Sequence, residues 1–218
     1  MLARMRIFDI SRALSDDIAP WPGDTAFHFE LKSKMADGAM VNVGAVQMGL
    51  HNGTHADAIF HFEEGATTID RMPLDTFLGD AVVIDLTRQF EGERTGPIRV
   101  ADIETCSEAL RVAPRLLLKT GIWRDSKIFP EWIPAIAPDV PEWLRARKVK
   151  LLGLDLPSVD PIEATELSNH HALAAAQIAI VESLDLSGIE AGIYHFSALP
   201  LPIRGGDAGP VRAVLWRD

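Results

Sequence analysis

Residues 115–121 read RLLLKTG, a short apolar run between two basic side chains. Similar runs lie on either side of it along the chain, AVVIDL at 81–86 and KLLGLDL at 150–156. Short runs that are rich in leucine or β-branched residues are typical of strands buried on both faces. We therefore predict three buried strands in this part of the protein.

Helical patterns lie beside these runs. VADIETCSEALRV at 100–112 has helical spacing, and PDVPEWLRARKVK at 138–150 has a basic last turn that suits the helix dipole. SNHHALAAAQ at 168–177 is rich in alanine and begins with Ser168 or Asn169, both good N-caps. These patterns predict three helices.

The remaining strand patterns extend the same architecture. Partial alternation and aromatic or valine content predict strands at 6–10, 27–33, 40–50, 178–186, 194–203 and 210–216. No repeat, linker or low-complexity tract divides the sequence. We therefore expect an α/β fold, a mixed sheet packed with helices, formed by one domain over residues 1–218.

Composition narrows the class of protein. The 218 residues are 47% hydrophobic and carry a net charge of -10, which argues against nucleic acid or an anionic membrane as a partner. The single cysteine, Cys106, excludes an internal disulfide, and we expect it to be a small buried or half-buried residue. We see no signal peptide, and the apolar segment 172–181 is too short to span a bilayer. The sequence predicts a cytoplasmic location.

The segment HNGTHADAIFHF at 51–62 is rich in side chains that bind metals or transfer protons. His51, His55 and Asp57 form H-x3-H-x-D, and His61 follows four residues later. Neutral imidazoles and a carboxylate are ligands of catalytic zinc and related divalent metals. Gly53 makes a helix improbable, so we expect a tight loop that leaves a strand end and brings the rings together. Thr54 is expected to donate a hydrogen bond to a neighbouring ligand.

Other histidines are read differently. His28 and His195 are isolated in strand patterns, where a structural role is the better interpretation. Further ligands could come from the distant segment 169–183, which contains His170, His171 and Glu182. Glu182 closes an otherwise apolar run, which a metal, a salt bridge or exposure at the strand end would each explain. Adjacent helical residues point about 100° apart, so one of the two histidines is expected to face a metal, and the spacing alone does not choose between them.

The pattern at 51–61 resembles the signature of the metal-dependent cyclase-like hydrolases. Four further segments resemble that family in its own order, which extends the resemblance over nearly the whole chain: WPGD at 21–24, GLDLPSVDP at 153–161, NHHALAAAQIAIVESLDLSG at 169–188 and ALPLPIRGGDAGPVRAVL at 198–215. Within the family, the sequence is most similar to the bacterial kynurenine formamidases (arylformamidases).

The resemblance implies a compact β/β/α cyclase-like fold, a site for two zinc ions (manganese being possible) and a homodimer. It makes His61 the acid–base residue and Trp21 the residue that packs on the aromatic ring of a small-molecule substrate. Its metal ligands would be His51, His55, Asp57, His170 and Glu182. One departure is Ile59, where the family usually has proline, and we expect a locally altered loop there.

The function implied is hydrolysis of N-formyl-L-kynurenine to L-kynurenine and formate in tryptophan degradation. Three alternatives stay open at this point. The same fold and ions could act on isatin or another cyclic or acyl amide, or the chain could be a metal-binding domain without catalysis. A serine nucleophile is disfavoured because no G-x-S-x-G occurs, and Ser158 lacks the glycines of a nucleophile elbow.

Overall fold

A nine-stranded mixed sheet forms the body of the molecule. The structure, a computed structural model, describes residues 5–91 and 95–217. The strands are β1 (Arg6–Asp9), β2 (His28–Ser33), β3 (Val43–Gln47), β4 (His55–Asp57), β5 (Leu78–Asp85), β6 (Arg115–Lys119), β7 (Leu151–Leu154), β8 (Ala179–Glu182), β9 (Gly192–Ser197), β10 (Ala208–Pro210) and β11 (Val214–Arg217). The α-helices are α1 (Val100–Ile103), α2 (Val140–Ala146) and α3 (Ser168–Ala175). Short 3₁₀ turns fill many of the connections, among them Ile59–His61.

The sheet order is β1-β11-β9-β5-β6-β7-β8-β4-β10, while β2 and β3 form a separate hairpin. Strands β5 to β8 run parallel, and the strands on both sides of this group pair antiparallel. The three apolar runs predicted as strands are therefore neighbours at the sheet centre. The mixed α/β fold expected from the sequence is confirmed.

The central strands are buried on both faces, as their composition predicts. Leu116 and Leu118 face a core that includes Leu144 of α2 and Leu173 of α3. Leu117, between them, faces a second core on the opposite side of the sheet. Side chains alternate across a strand, so a run with leucine at every position fills both cores.

Several local predictions are wrong. The segment 100–112 is not one helix: α1 covers a single turn and is followed by 3₁₀ turns at Glu104–Cys106 and Ala109–Arg111. Neither Ser168 nor Asn169 is the N-cap of α3. The N-cap position is occupied by Leu167. The capping hydrogen bond comes from the distant Asp160, whose carboxylate accepts the backbone N–H of Asn169 at 2.9 Å.

The strand predicted at 194–203 is also shorter than expected, since β9 ends at Ser197.

Cys106 is buried, as predicted, and burial raises the pKa of its thiol to about 11. Within residues 5–91 and 95–217, no helix has the length and apolar character that a bilayer crossing requires.

Candidate metal centre and pocket

The segment 51–57 is a turn that leads into a strand. Gly53 has a φ of 65°, a left-handed conformation that favours glycine. The loop expected for the whole segment is thus only its first half, because His55 and Asp57 lie on β4. Alternation places both side chains on one face of β4, and His55 lies opposite Glu182 of β8 in the antiparallel register.

The side chains of this face converge. Nδ1 of His51 lies 3.0 Å from Nε2 of His55 and 3.2 Å from Oδ1 of Asp57. Nε2 of His55 lies 3.2 Å from the same carboxylate oxygen and 3.6 Å from Oε2 of Glu182. Side chains from β4 and β8 therefore meet at one point.

Helix α3 adds the remaining imidazole. Nε2 of His170 lies 3.5 Å from Oδ2 of Asp57 and 3.6 Å from Oε1 of Glu182. His171 is exposed and contacts the ring of Phe62 instead. Of the two adjacent histidines, His170 is the one that faces the cluster. We call the buried group of His55, Asp57, His170 and Glu182 the floor.

Three imidazoles share one pattern of contacts. Nδ1 of His55 donates to the carbonyl of Gly53 at 2.9 Å, and Nδ1 of His170 lies 2.6 Å from Asp160. His51 uses the opposite ring nitrogen, with Nε2 at 3.1 Å from Oδ2 of Asp207. Each ring thereby directs its other nitrogen at the cluster, as metal-binding histidines do.

The carboxylate of Asp57 makes no hydrogen bond at the centre of the floor. Both of its oxygens are buried, and imidazole nitrogens of His51, His55 and His170 lie at 3.2 Å, 3.2 Å and 3.5 Å from them. Burial would raise the pKa of Asp57, but these close imidazoles hold it well below its ordinary value. A buried carboxylate is costly unless positive charge offsets it, and a metal ion can supply that charge.

The other titratable groups respond to that charge. Burial disfavours the charged form of His51, but Asp207 and Asp57 outweigh it and raise the pKa of this imidazole to about 10. Burial and the nearby charge of Asp57 raise the pKa of Glu182 well above its ordinary value. The two acidic groups of the floor thus crowd one buried place, and a divalent cation fits there.

Among residues 5–91 and 95–217, three groups of ligand atoms are compact enough to hold a metal ion, each with its atoms within 4.8 Å of one another. Two of them share Asp57, namely His51–His55–Asp57 and Asp57–His170–Glu182. The third is His51–His61–Asp207. The predicted ligand residues are thus brought together, and their chemistry fits a divalent metal.

His61 lies above the floor. Its ring centroid is 4.1 Å from that of His51, and its Nδ1 is 3.8 Å from Oδ2 of Asp207. Burial is the largest effect on its pKa and lowers it. We call the partly exposed His51, His61 and Asp207 the rim.

The rim opens into a cavity of about 400 Å³. One side of this cavity is lined by Trp21, Trp123 and Phe129. The distance between ring centroids is 5.2 Å for Trp21 and Phe129 and 5.9 Å for Trp123 and Phe129. Trp21 sits in a turn closed by the N–H of Asp24, which donates to the Trp21 carbonyl. An aromatic wall therefore faces the cluster.

Sequence reasoning missed Asp160 and Asp207. Asp160 lies in the quoted segment 153–161 and Asp207 in 198–215, but neither was singled out, because an aspartate beside proline or glycine is typical of a turn. Thr54 was misread: its hydroxyl donates to the carbonyl of Ser183 at 2.6 Å and accepts the N–H of Arg12, so it joins two loops and orients no ligand.

The isolated histidines lie away from the cluster. His28 is on the β2–β3 hairpin beside Asp16, and Nδ1 of His195 lies 2.7 Å from Oδ1 of Asp80 on the surface. Ile59, at the position where the family usually has proline, begins the 3₁₀ turn that carries His61.

A buried cluster of His, Asp and Glu side chains on a mixed sheet is the feature by which this protein can be classified. The chain belongs to the Cyclase family, whose profile, described as "Putative cyclase", matches residues 8–161. Its relatives include kynurenine formamidases. The one from Geobacillus thermodenitrificans is 41% identical over 208 residues, which is 95% of each chain. The one from Erythrobacter litoralis is 40% identical over 219 residues, 98% of this chain and 94% of the relative. The family predicted from residues 51–61 is confirmed.

Solved structures share the fold. A potential metal-dependent hydrolase with cyclase activity has a TM-score of 0.79 at 24% identity and covers 99% of this chain and 100% of its own. An isatin hydrolase bound to the product analogue thioisatinate has a TM-score of 0.83 at 18% identity and covers 98% of this chain and 92% of its own. These likenesses establish the cyclase-like fold.

Proposed function

We propose that this protein is a metal-dependent arylformamidase, which hydrolyses N-formyl-L-kynurenine to L-kynurenine and formate in tryptophan degradation. The observation that carries the proposal is the buried carboxylate of Asp57, which makes no hydrogen bond and lies among three imidazoles beside an aromatic-lined cavity. The near-full-length identity to kynurenine formamidases supports the substrate. We take residues 1–218 as one catalytic domain that acts in the cytoplasm.

Two zinc ions that share Asp57 are the proposed cofactor, with manganese as the alternative ion. His51 and His55 would complete one set of ligands, and His170 and Glu182 the other. When bound, such an ion supplies a Lewis acid that lowers the pKa of a water and offsets negative charge on the attacked carbonyl oxygen.

His61 supplies proton transfer. Burial lowers the pKa of this imidazole, so it is neutral at pH 7 and can accept a proton from the attacking water. It can then return that proton to the departing aniline nitrogen, which would otherwise leave as an unstable anion. The ring is partly exposed and faces the cavity, where a substrate can reach it.

The aromatic wall binds the substrate. Trp21 would stack on the arene of formylkynurenine, and Phe129 packs edge-on against Trp21 and holds its ring in place. Trp123 closes the same side of the cavity. The formamide would then point at the metal ligands.

A homodimer is part of the proposal. On the β2–β3 hairpin Phe29 lies opposite Val46, and the two side chains are 47% and 57% exposed, with Leu31 beside them. A two-stranded hairpin is marginally stable by itself, so an apolar cover from a second copy would stabilise it. Sedimentation should show a dimer that Phe29→Glu dissociates, and a monomeric parent protein would overturn this part.

The central test is formamidase activity on the purified protein before and after chelation and after zinc is returned. We expect activity to disappear and return with the ion. Isatin assayed in parallel distinguishes the isatin-type alternative, which would be favoured if isatin were the better substrate. One inert zinc without turnover would indicate a non-catalytic domain, and activity that survives chelation but not a serine reagent would indicate a serine nucleophile.

A further inference from the structure

Asp207 lies between two imidazoles of different proposed roles. Its Oδ2 atom is 3.1 Å from Nε2 of His51 and 3.8 Å from Nδ1 of His61. One oxygen atom therefore faces a proposed metal ligand and the proposed acid–base residue together. The carboxylate is 43% exposed, so water reaches it.

The backbone fixes Asp207 in this place. Its carbonyl accepts the N–H of Ala58 at 2.9 Å, and the next residue, Ala208, pairs with Asp57 across the β10–β4 ladder. The two preceding glycines are also held. The carbonyl of Gly206 accepts the N–H of Ile69 at 3.0 Å, and Gly205, with a φ of 74°, donates to Asp70. The carboxylate is thus presented by a pinned turn.

Resting on the proposed function, we propose that Asp207 is a positioning residue that orients His51 for metal binding and His61 for proton transfer. By accepting the hydrogen bond that Nε2–H of His51 donates, it leaves Nδ1 free to face His55 and Asp57. The same oxygen, 3.8 Å from Nδ1 of His61, restrains how that ring turns toward the cavity.

The exposed pair of Asp80 and His195 provides a matched control. Its Asp–imidazole contact of 2.7 Å lies outside the cluster, and Asp80 is 45% exposed. Asp80→Asn removes a carboxylate from a histidine in the same way without approaching the cavity.

The experiment compares Asp207→Ala, Asp207→Asn and Asp80→Asn in the full chain. Zinc affinity is measured by competition with a chelating dye, and kcat and KM are measured at saturating zinc. For Asp207→Ala we expect roughly 10–100-fold weaker zinc binding with full stoichiometry at saturation. We also expect kcat to fall by about tenfold or more while KM stays within about twofold, since proton transfer is affected and substrate packing is not. Asp207→Asn keeps an acceptor for His51 and should lose less affinity.

Several outcomes overturn the inference. Unchanged affinity and kcat in a folded Asp207→Ala protein would remove any positioning role. Loss of one zinc equivalent at saturation would make Asp207 a ligand, and equal losses in Asp80→Asn would indicate a general charge effect. Circular dichroism and thermal melting check that each variant folds. Because zinc affinity needs no substrate, this arm stands even if the parent protein does not hydrolyse formylkynurenine.

Discussion

The floor and the rim hold their imidazoles by different means. On the floor, His55 and His170 are almost fully buried, and a strand and a helix fix their backbones. On the rim, His51 and His61 are 16% and 31% exposed and lie on turns. A rigid, dry floor suits the binding of an ion, whereas the wetter position of His61 on the rim suits proton exchange with substrate and water.

The substitution with the largest expected effect is at the centre of the floor, at Asp57. Asp57→Asn keeps the shape of the side chain but removes the charge shared by both groups of ligands, so we expect the protein to lose its metal and all measurable activity. Metal analysis by mass spectrometry and the formamidase assay check this. Asp75→Asn, on the exposed surface beside Lys150, is the control. Full metal content in Asp57→Asn would show that Asp57 is not a shared ligand.

A change on the rim should separate chemistry from binding. His61→Ala removes the proposed proton carrier, and we expect kcat to fall by about 10²–10⁴-fold while metal content stays full. Metal content and steady-state kinetics, measured on the same preparation, test this. Metal loss in parallel with activity would make His61 a ligand and would erase the distinction between floor and rim.

A weaker change tests the support beneath the floor. Asp160 contacts Nδ1 of His170 and also accepts the first backbone N–H groups of α3. Asp160→Asn should weaken metal binding roughly 10–100-fold, because His170 loses the charge that orients it. Chelator competition measures the affinity, and Asp185→Asn in a surface turn is the control. Affinity equal to the parent protein would show that the helix alone positions His170.

The smallest effect is expected at the aromatic wall. Trp21→Ala removes one stacking surface worth about 0.5–1.5 kcal/mol, so KM should rise about 2–10-fold with little change in kcat. Steady-state kinetics decide, with Trp216→Ala on β11 as a control outside the cavity. An unchanged KM would rule out stacking by Trp21.

Sequence reasoning found what is local and missed what is distant. Leu116, Leu117 and Leu118 predict a buried strand because apolar content within a few residues determines it. The density of chemistry at 51–61 marked the site for the same reason. The residues alone could name Glu182 only as a candidate ligand, and its place beside His55 was implied by the family resemblance, since that contact depends on the pairing of β4 with β8.

Asp207 shows the limit. Its contact with His51 joins residues 156 positions apart and depends on β10 lying against β4. Nothing near it along the chain distinguishes it from an ordinary turn residue. The helix predicted at 100–112 failed for a related reason: its apolar side chains fill one core from several short turns, because burial outweighs helical continuity there.

The three-residue strand β4 has one more consequence. It contributes little hydrogen bonding by itself, yet it joins β10 to β8, and Thr54 just before it bonds to Ser183, 129 positions away. An ion bound here would cross-link the early and late parts of the polypeptide. Loading and folding should therefore be thermodynamically linked, so that the melting temperature of the protein reports how much of it carries metal.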